Sequence, residues 1–163
     1  MVGKADFTSE EWKQISTAPQ LASLYVALAS PSGPVGVVQE MMASAKLIAE
    51  VIKGGSSNAL IDAVADDFKR KVENKEKPEQ VQLGKDPNEI KANCLQASRD
   101  LSALLAKKAP AEAEGYKQWV YRAALSSAEA AKEGGFMGIG GIKVNEAEAA
   151  ALKEIASALG ITV

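Results

Sequence analysis

The sequence predicts a single all-α domain of about six or seven helices spanning residues 1–163. Three observations carry that expectation. Apolar residues recur every three or four positions in successive stretches, as the inner face of a helix requires. Helix-start residues stand just ahead of those stretches, and proline or glycine follows them. Sustained alternation of apolar and polar residues is missing; residues 139–144 are the one brief β-like run, and its glycines weaken it.

Taken in order, Thr8 with Glu11 makes a capping box and Phe7 stands ahead of it as a staple residue, with Trp12 and Ile15 on the buried face. Ala18 and Pro19 are expected to end this short helix and restart the chain, and Leu21, Leu24, Tyr25 and Leu28 follow at helical spacing. Pro31, Ser32, Gly33 and Pro34 form a turn. From Val35, the series Val38, Met41, Met42, Ala45, Ile48 and Ile52 predicts a helix of several turns, ended by Gly54 and Gly55. Ser56, Ser57 or Asn58 can cap the next helix, whose inner face is Leu60, Ile61, Val64 and Phe68. Residues 69–85 mix both charges with Pro78 and Gly84, which reads as a solvated helix end and loop.

Asp86, Pro87 and Glu89 supply a capping side chain, a proline at the first helical position and an acid in the first turn. Ile90, Cys94, Ala97, Leu101, Leu104 and Leu105 follow on one face. Pro110 starts another helix through Tyr116, Trp119 and Val120, and its Ala123, Ala124, Ala128, Ala130 and Ala131 offer a surface that a second helix can approach closely. Asn145 with Glu148 caps the last helix, Leu152, Ile155 and Leu159 are its inner face, and Gly160 ends it. The expected core is Trp12, Leu24, Leu28, Met42, Ile48, Ile61, Phe68, Ile90, Leu101, Trp119, Leu152 and Ile155.

Composition narrows the function classes. Histidine is absent, which removes Ser-His and Cys-His nucleophilic pairs, histidine-containing zinc sites, Glu-x-x-His di-iron sites and histidine-ligated haem. Carboxylate and lysine chemistry remain. With 19 basic and 21 acidic residues the net charge is −2, which gives no footprint for nucleic acid or an anionic membrane. The single Cys94 has no partner for an internal disulfide, lies among aliphatic neighbours and reads as buried and inert. Residues 1–7 lack the basic start and apolar run of a secretory signal, and no apolar run reaches the length of a membrane span, so a cytoplasmic protein without cofactor is the expectation.

Two places are candidate sites. Residues 134–141 read Gly-Gly-Phe-Met-Gly-Ile-Gly-Gly, a turn between helices with three large apolar side chains. Without a preceding strand, a G-x-G-x-x-G pattern or a Gly-Lys-Ser/Thr ending, it does not match a phosphate-binding loop. Either Phe136 or Met137 folds onto the core, or Phe136, Met137 and Ile139 stay exposed and dock a partner. The second place is acidic. Glu146 and Glu148 lie in a first helical turn, where the helix dipole explains them, and are the candidate ligands if a divalent cation binds. The neighbours Asp66 and Asp67, and Glu10 and Glu11, point to different helix faces.

The helix, turn and helix around Ala29, Ser30, Pro31, Ser32 and Gly33, its echo at residues 134–148, and the ending through Leu152, Ile155, Leu159 and Gly160 resemble the tellurite-resistance B-like family. The opening Phe7, Thr8, Glu10, Glu11 and Trp12 is also similar to a related group of small bacterial all-α proteins. The first resemblance implies two related helical halves, an association with stress or metal-oxyanion resistance, and in some members divalent-cation binding by acidic interhelical loops. Where that family has an Ala-Asp-Gly loop, this chain has Ser30, Pro31, Ser32 and Gly33. The functional expectation is a non-enzymatic domain that contacts a protein partner or its own second copy; the alternative is a metal- or small-ligand-binding stress protein using Glu146 and Glu148.

Overall fold

Among the described residues, six α-helices follow a 3-10 turn at Lys4–Asp6: α1 (Ser9–Ala27), α2 (Gly33–Gly54), α3 (Ala59–Glu73), α4 (Pro87–Lys108), α5 (Pro110–Glu133) and α6 (Glu146–Leu159). The computed structural model describes residues 1–29, 33–77, 79, 81–133 and 144–163. The fold is all-α, as expected.

The caps are those written in the sequence. Thr8 Oγ1 accepts from the Glu11 N–H at 3.2 Å, and the Thr8 N–H donates to Glu11 Oε2 at 2.8 Å. Phe7 packs on Trp12 with ring centroids 6.1 Å apart, so the staple closes over the first turn. Asn58 caps α3 through the Leu60 and Ile61 N–H groups, Asp86 caps α4, and Asn145 caps α6 in a reciprocal pair with Glu148. Gly160, at φ +67°, turns the chain out of α6, and the Ile161 N–H returns to the Ala156 carbonyl at 3.0 Å.

Two boundaries differ from the expectation: α2 already begins at Gly33, so Gly33 and Pro34 belong to its first turn and not to the turn ahead of it, and the end of the first helix is displaced as well. α1 does not stop at Ala18 but runs through Pro19 without a break. Proline removes the N–H that would bond the carbonyl four residues back, and that carbonyl belongs to Ile15. Tyr116 Oη donates to it at 2.7 Å, so the vacancy is filled from α5.

α1 is the central helix and packs on α5, α4, α2 and α6, while α5 also touches α2, α3, α4 and α6. Contact between α1, α2 and α5 is made by small residues. The Ser23 and Ser44 hydroxyls bond one another across α1 and α2, and Ser127 Oγ donates to the Ser23 carbonyl at 3.4 Å. Ala22, Ala124 and Ala128 are buried around them, which lets backbones approach closely. Larger side chains fill the remaining space: Ile15, Leu60, Leu101, Leu105, Ile155 and Leu159 are fully buried, each stabilising by roughly 1.5–3 kcal/mol.

Of the expected core, Trp12, Ile48, Ile61, Leu101, Trp119, Leu152 and Ile155 are buried, and Leu24, Leu28, Phe68 and Ile90 are half-buried. Met42 is a correction, for it is 67% exposed. The inward face of α2 runs through Ser44 and Ile48, because the narrow gap beside α1 admits a serine and not a methionine.

Candidate functional site

The face of α2 that turns outward is apolar as well. Met42 is 67% and Ile52 36% exposed, Ala45 is exposed and Ala49 half-exposed. Spacings of three, four and three residues put these four on one helix face. Lys46, Glu50 and Lys53 are exposed beside them. α2 is therefore apolar on two sides: Leu47, Ile48 and Val51 face the core, and a second ridge faces solvent.

Asp67 organises the charged groups between α1 and α3. Its side chain is 5% exposed. Oδ1 accepts from Lys4 Nζ at 2.9 Å and Arg70 Nη2 at 2.6 Å, while Oδ2 accepts from Trp12 Nε1 at 3.0 Å and lies 3.2 Å from Lys71 Nζ. Burial alone would push this carboxyl up, but the bonds from Trp12, Arg70, Lys4 and Lys71 together outweigh it and hold the group far below the usual carboxylate range. Both oxygens are occupied, so Asp67 has no lone pair left for a metal or a reacting proton. Its neighbour Asp66 is exposed, which agrees with the two pointing to different faces. In residues 69–85, Arg70 pairs with Glu76 at 3.2 Å and Lys71 with Glu79, folding the chain after α3 back along that helix.

Beside this network a pocket of about 160 Å³ opens between α1, α2 and α3, walled by Thr17, Ile48, Val64 and Phe68 and edged by Val72, Lys71 and Glu79. Its volume suits a single aromatic ring. Desolvation would lower the Lys71 ammonium, but its bonds to Glu79 and Asp67 prevail and raise it, so this amine stays charged and is a poor nucleophile. A second pocket of about 340 Å³ lies between α2, the start of α3 and α5, among Leu47, Glu50, Asn58, Gln118, Trp119 and Arg122. The Trp119 Nε1–H is buried without a hydrogen-bond partner. Leaving such a donor unpaired costs about 1–3 kcal/mol.

The sequence-derived candidates fare differently. Phe136, Met137 and Ile139, with the whole glycine-rich stretch at 134–141 and most of the β-like run at 139–144, lie outside the described residues. Glu146 is exposed. Glu148 is 2% exposed, and its Oε2 accepts from the Asn145 N–H at 3.1 Å, so its carboxylate serves the cap. The two acids are not brought together, and among the described residues no three Cys, Asp or Glu side chains converge to hold a metal. Cys94 is fully buried, and burial pushes its thiol up to about 11. Burial likewise raises Tyr116.

Sequence reasoning missed Asp67, whose partners Lys4 and Trp12 are far away in the chain. A signal existed in the i, i+3 and i, i+4 spacing of Asp67 with Arg70 and Lys71. Among the described residues no helix is long and apolar enough to cross a membrane. No family model, curated protein or solved structure matches the chain.

Proposed function

We propose that this chain is a non-enzymatic, cytoplasmic helical protein that acts through contacts with another protein or a second copy of itself. The observation that carries this reading is the solvent-facing ridge of Met42, Ala45, Ala49 and Ile52 on a helix whose opposite face already fills the core. Side chains with reactive chemistry support it from the other direction. Asp67 is saturated with donors, Lys71 is held charged, and Cys94 is buried with a raised thiol. A photo-crosslinking residue at Met42, expressed in the native host, is expected to give protein adducts that the same residue at exposed Asp100 on α4 does not. Equal labelling at both positions, or none at Met42, would sink the reading.

The resemblance of the two helix–turn junctions to the tellurite-resistance B-like family adds a role in stress or tellurite resistance. A deletion strain that grows on tellurite as its parent does would remove that role and leave the contact reading standing.

A second reading, a small-ligand-binding protein, is favoured by the about 340 Å³ pocket whose wall includes Trp119, a residue whose indole N–H is buried without a hydrogen-bond partner. In a Trp12→Phe background, Trp119 is the one fluorophore of its kind. Its emission is expected to change on titration with acetate, phosphate or acetamide, and an unchanged spectrum with all three would exclude these ligand classes.

A further inference from the structure

We infer that the outward face of α2 is a two-fold interface between two copies of this chain, with the two α2 helices antiparallel and crossing near Ala45 and Ala49. The inference rests on the protein-contact reading and names its partner. Read along the helix, the ridge runs large, small, small, large: Met42, Ala45, Ala49, Ile52. An antiparallel two-fold reverses that order, so Ala45 of one copy meets Ala49 of the other, and Met42 meets Ile52 on both sides of the axis. Crossed helices are closest at the crossing point and diverge away from it. Alanine at the centre and longer side chains at the ends are what that geometry needs.

Charge selects the same arrangement. Lys46 and Glu50 are exposed on one flank of the ridge, and among the described residues neither side chain forms an ion pair or hydrogen bond. The antiparallel two-fold sets Lys46 of each copy near Glu50 of the other, giving two reciprocal pairs. In a parallel two-fold pairing the flanks carrying Lys46 and Glu50 fall on opposite sides of the interface, so neither residue meets its counterpart or an opposite charge from this flank. A foreign partner has no reason to match a pattern that is complementary to its own reversal. One helix face buries a small area, so the dimer belongs to the weak class of interfaces.

Sedimentation velocity of the purified chain over a concentration series tests this. The expected result is a concentration-dependent dimer at low salt that Lys46→Glu or Glu50→Lys each weakens by about tenfold, since each sets like charges across the axis. The double variant with both changes restores association to the wild-type range, because the pairs re-form with their signs exchanged. Met42→Ser with Ile52→Ser abolishes it. All four positions are at the surface or its margin, and an unchanged helical spectrum and melting temperature show that the monomer is intact. A wild type that stays monomeric up to about 0.5 mM, or a double variant no tighter than the singles, overturns the inference. Foreign adducts at Met42 in the cell alongside a monomeric purified protein also overturn it, while leaving the protein-contact reading in place; absence of any adduct at Met42 removes both.

Discussion

Tyr116 donates its phenol proton to the carbonyl of Ile15, and that carbonyl is free because Pro19 stands four residues later. The pair joins α5 to α1 at the point where α1 would otherwise be weakest. Proline in a helix interior costs about 3 kcal/mol or more, partly through the lost hydrogen bond. Here a buried side chain returns that bond from another helix.

Removing the phenol should therefore expose the proline's cost. Tyr116→Phe leaves the Ile15 carbonyl buried and unpaired, and stability is expected to fall by about 1–3 kcal/mol in urea denaturation. Pro19→Ala in the same background restores an N–H four residues after Ile15. The loss caused by Tyr116→Phe should be smaller in the Pro19→Ala background than with Pro19 in place, and equal losses in the two backgrounds would show that the two residues are not coupled.

The Asp67 network predicts a pH dependence. Its folded carboxyl lies below the ordinary value of 3.8, so the folded state binds fewer protons than the unfolded one. Stability from this group is then fully present above about pH 4 and is lost as the pH falls below that value toward the folded one. Asp67→Asn should lower stability near neutral pH by about 1.5–3 kcal/mol, the worth of hydrogen bonds to a charged group. It should also flatten the acid limb of the melting-temperature curve. A variant whose melting temperature falls with acid as steeply as the wild type would place the acid sensitivity elsewhere.

How much of this could be read from the sequence follows the range of the interactions. Thr8 with Glu11, Asn58, Asp86 with Pro87, and Asn145 with Glu148 act within four residues, and each cap sits where its residue types placed it. Continuity of α1 through Pro19 depends on Tyr116, whose partner Ile15 is 101 residues away, and no local pattern encodes it. The fate of Met42 and Ser44 was hidden for a different reason. Apolar periodicity assigns the inward face to the more apolar residue, whereas the gap between α1 and α2 is decided by size, and the serine pair wins. A helix apolar on two faces gives periodicity no means to choose.

Cys94 should behave as a reporter of unfolding. With the thiol fully buried and raised to about 11, reaction with a thiol reagent at pH 8 is expected to require opening of α4 from α1. Labelling should be slow in buffer and rise with urea in parallel with the loss of helical signal. Fast stoichiometric labelling of the native protein would contradict the burial.

Gly115 supplies a prediction whose sign depends on a second residue. It lies inside α5, where alanine is ordinarily better than glycine by about 1 kcal/mol. A Cβ at this position, however, would stand 2.8 Å from Asn58 Nδ2. Asn58 cannot swing away freely, because its Oδ1 caps α3 at the Leu60 and Ile61 N–H groups and its Nδ2 donates to the Glu112 carbonyl at 2.9 Å. Displacing it forfeits a cap worth about 0.5–2 kcal/mol and the bond to α5 as well. Gly115→Ala should consequently destabilise the wild type. In an Asn58→Ala background the nearest remaining atom of residue 58 is its Cβ, 3.9 Å from the new methyl, an ordinary contact. There the helix preference acts alone, and Gly115→Ala should stabilise by about 1 kcal/mol. Thermal or urea denaturation of the four proteins decides it: the same substitution must change sign between the two backgrounds, and a shift of the same sign in both would mean that Asn58 yields without giving up its bonds.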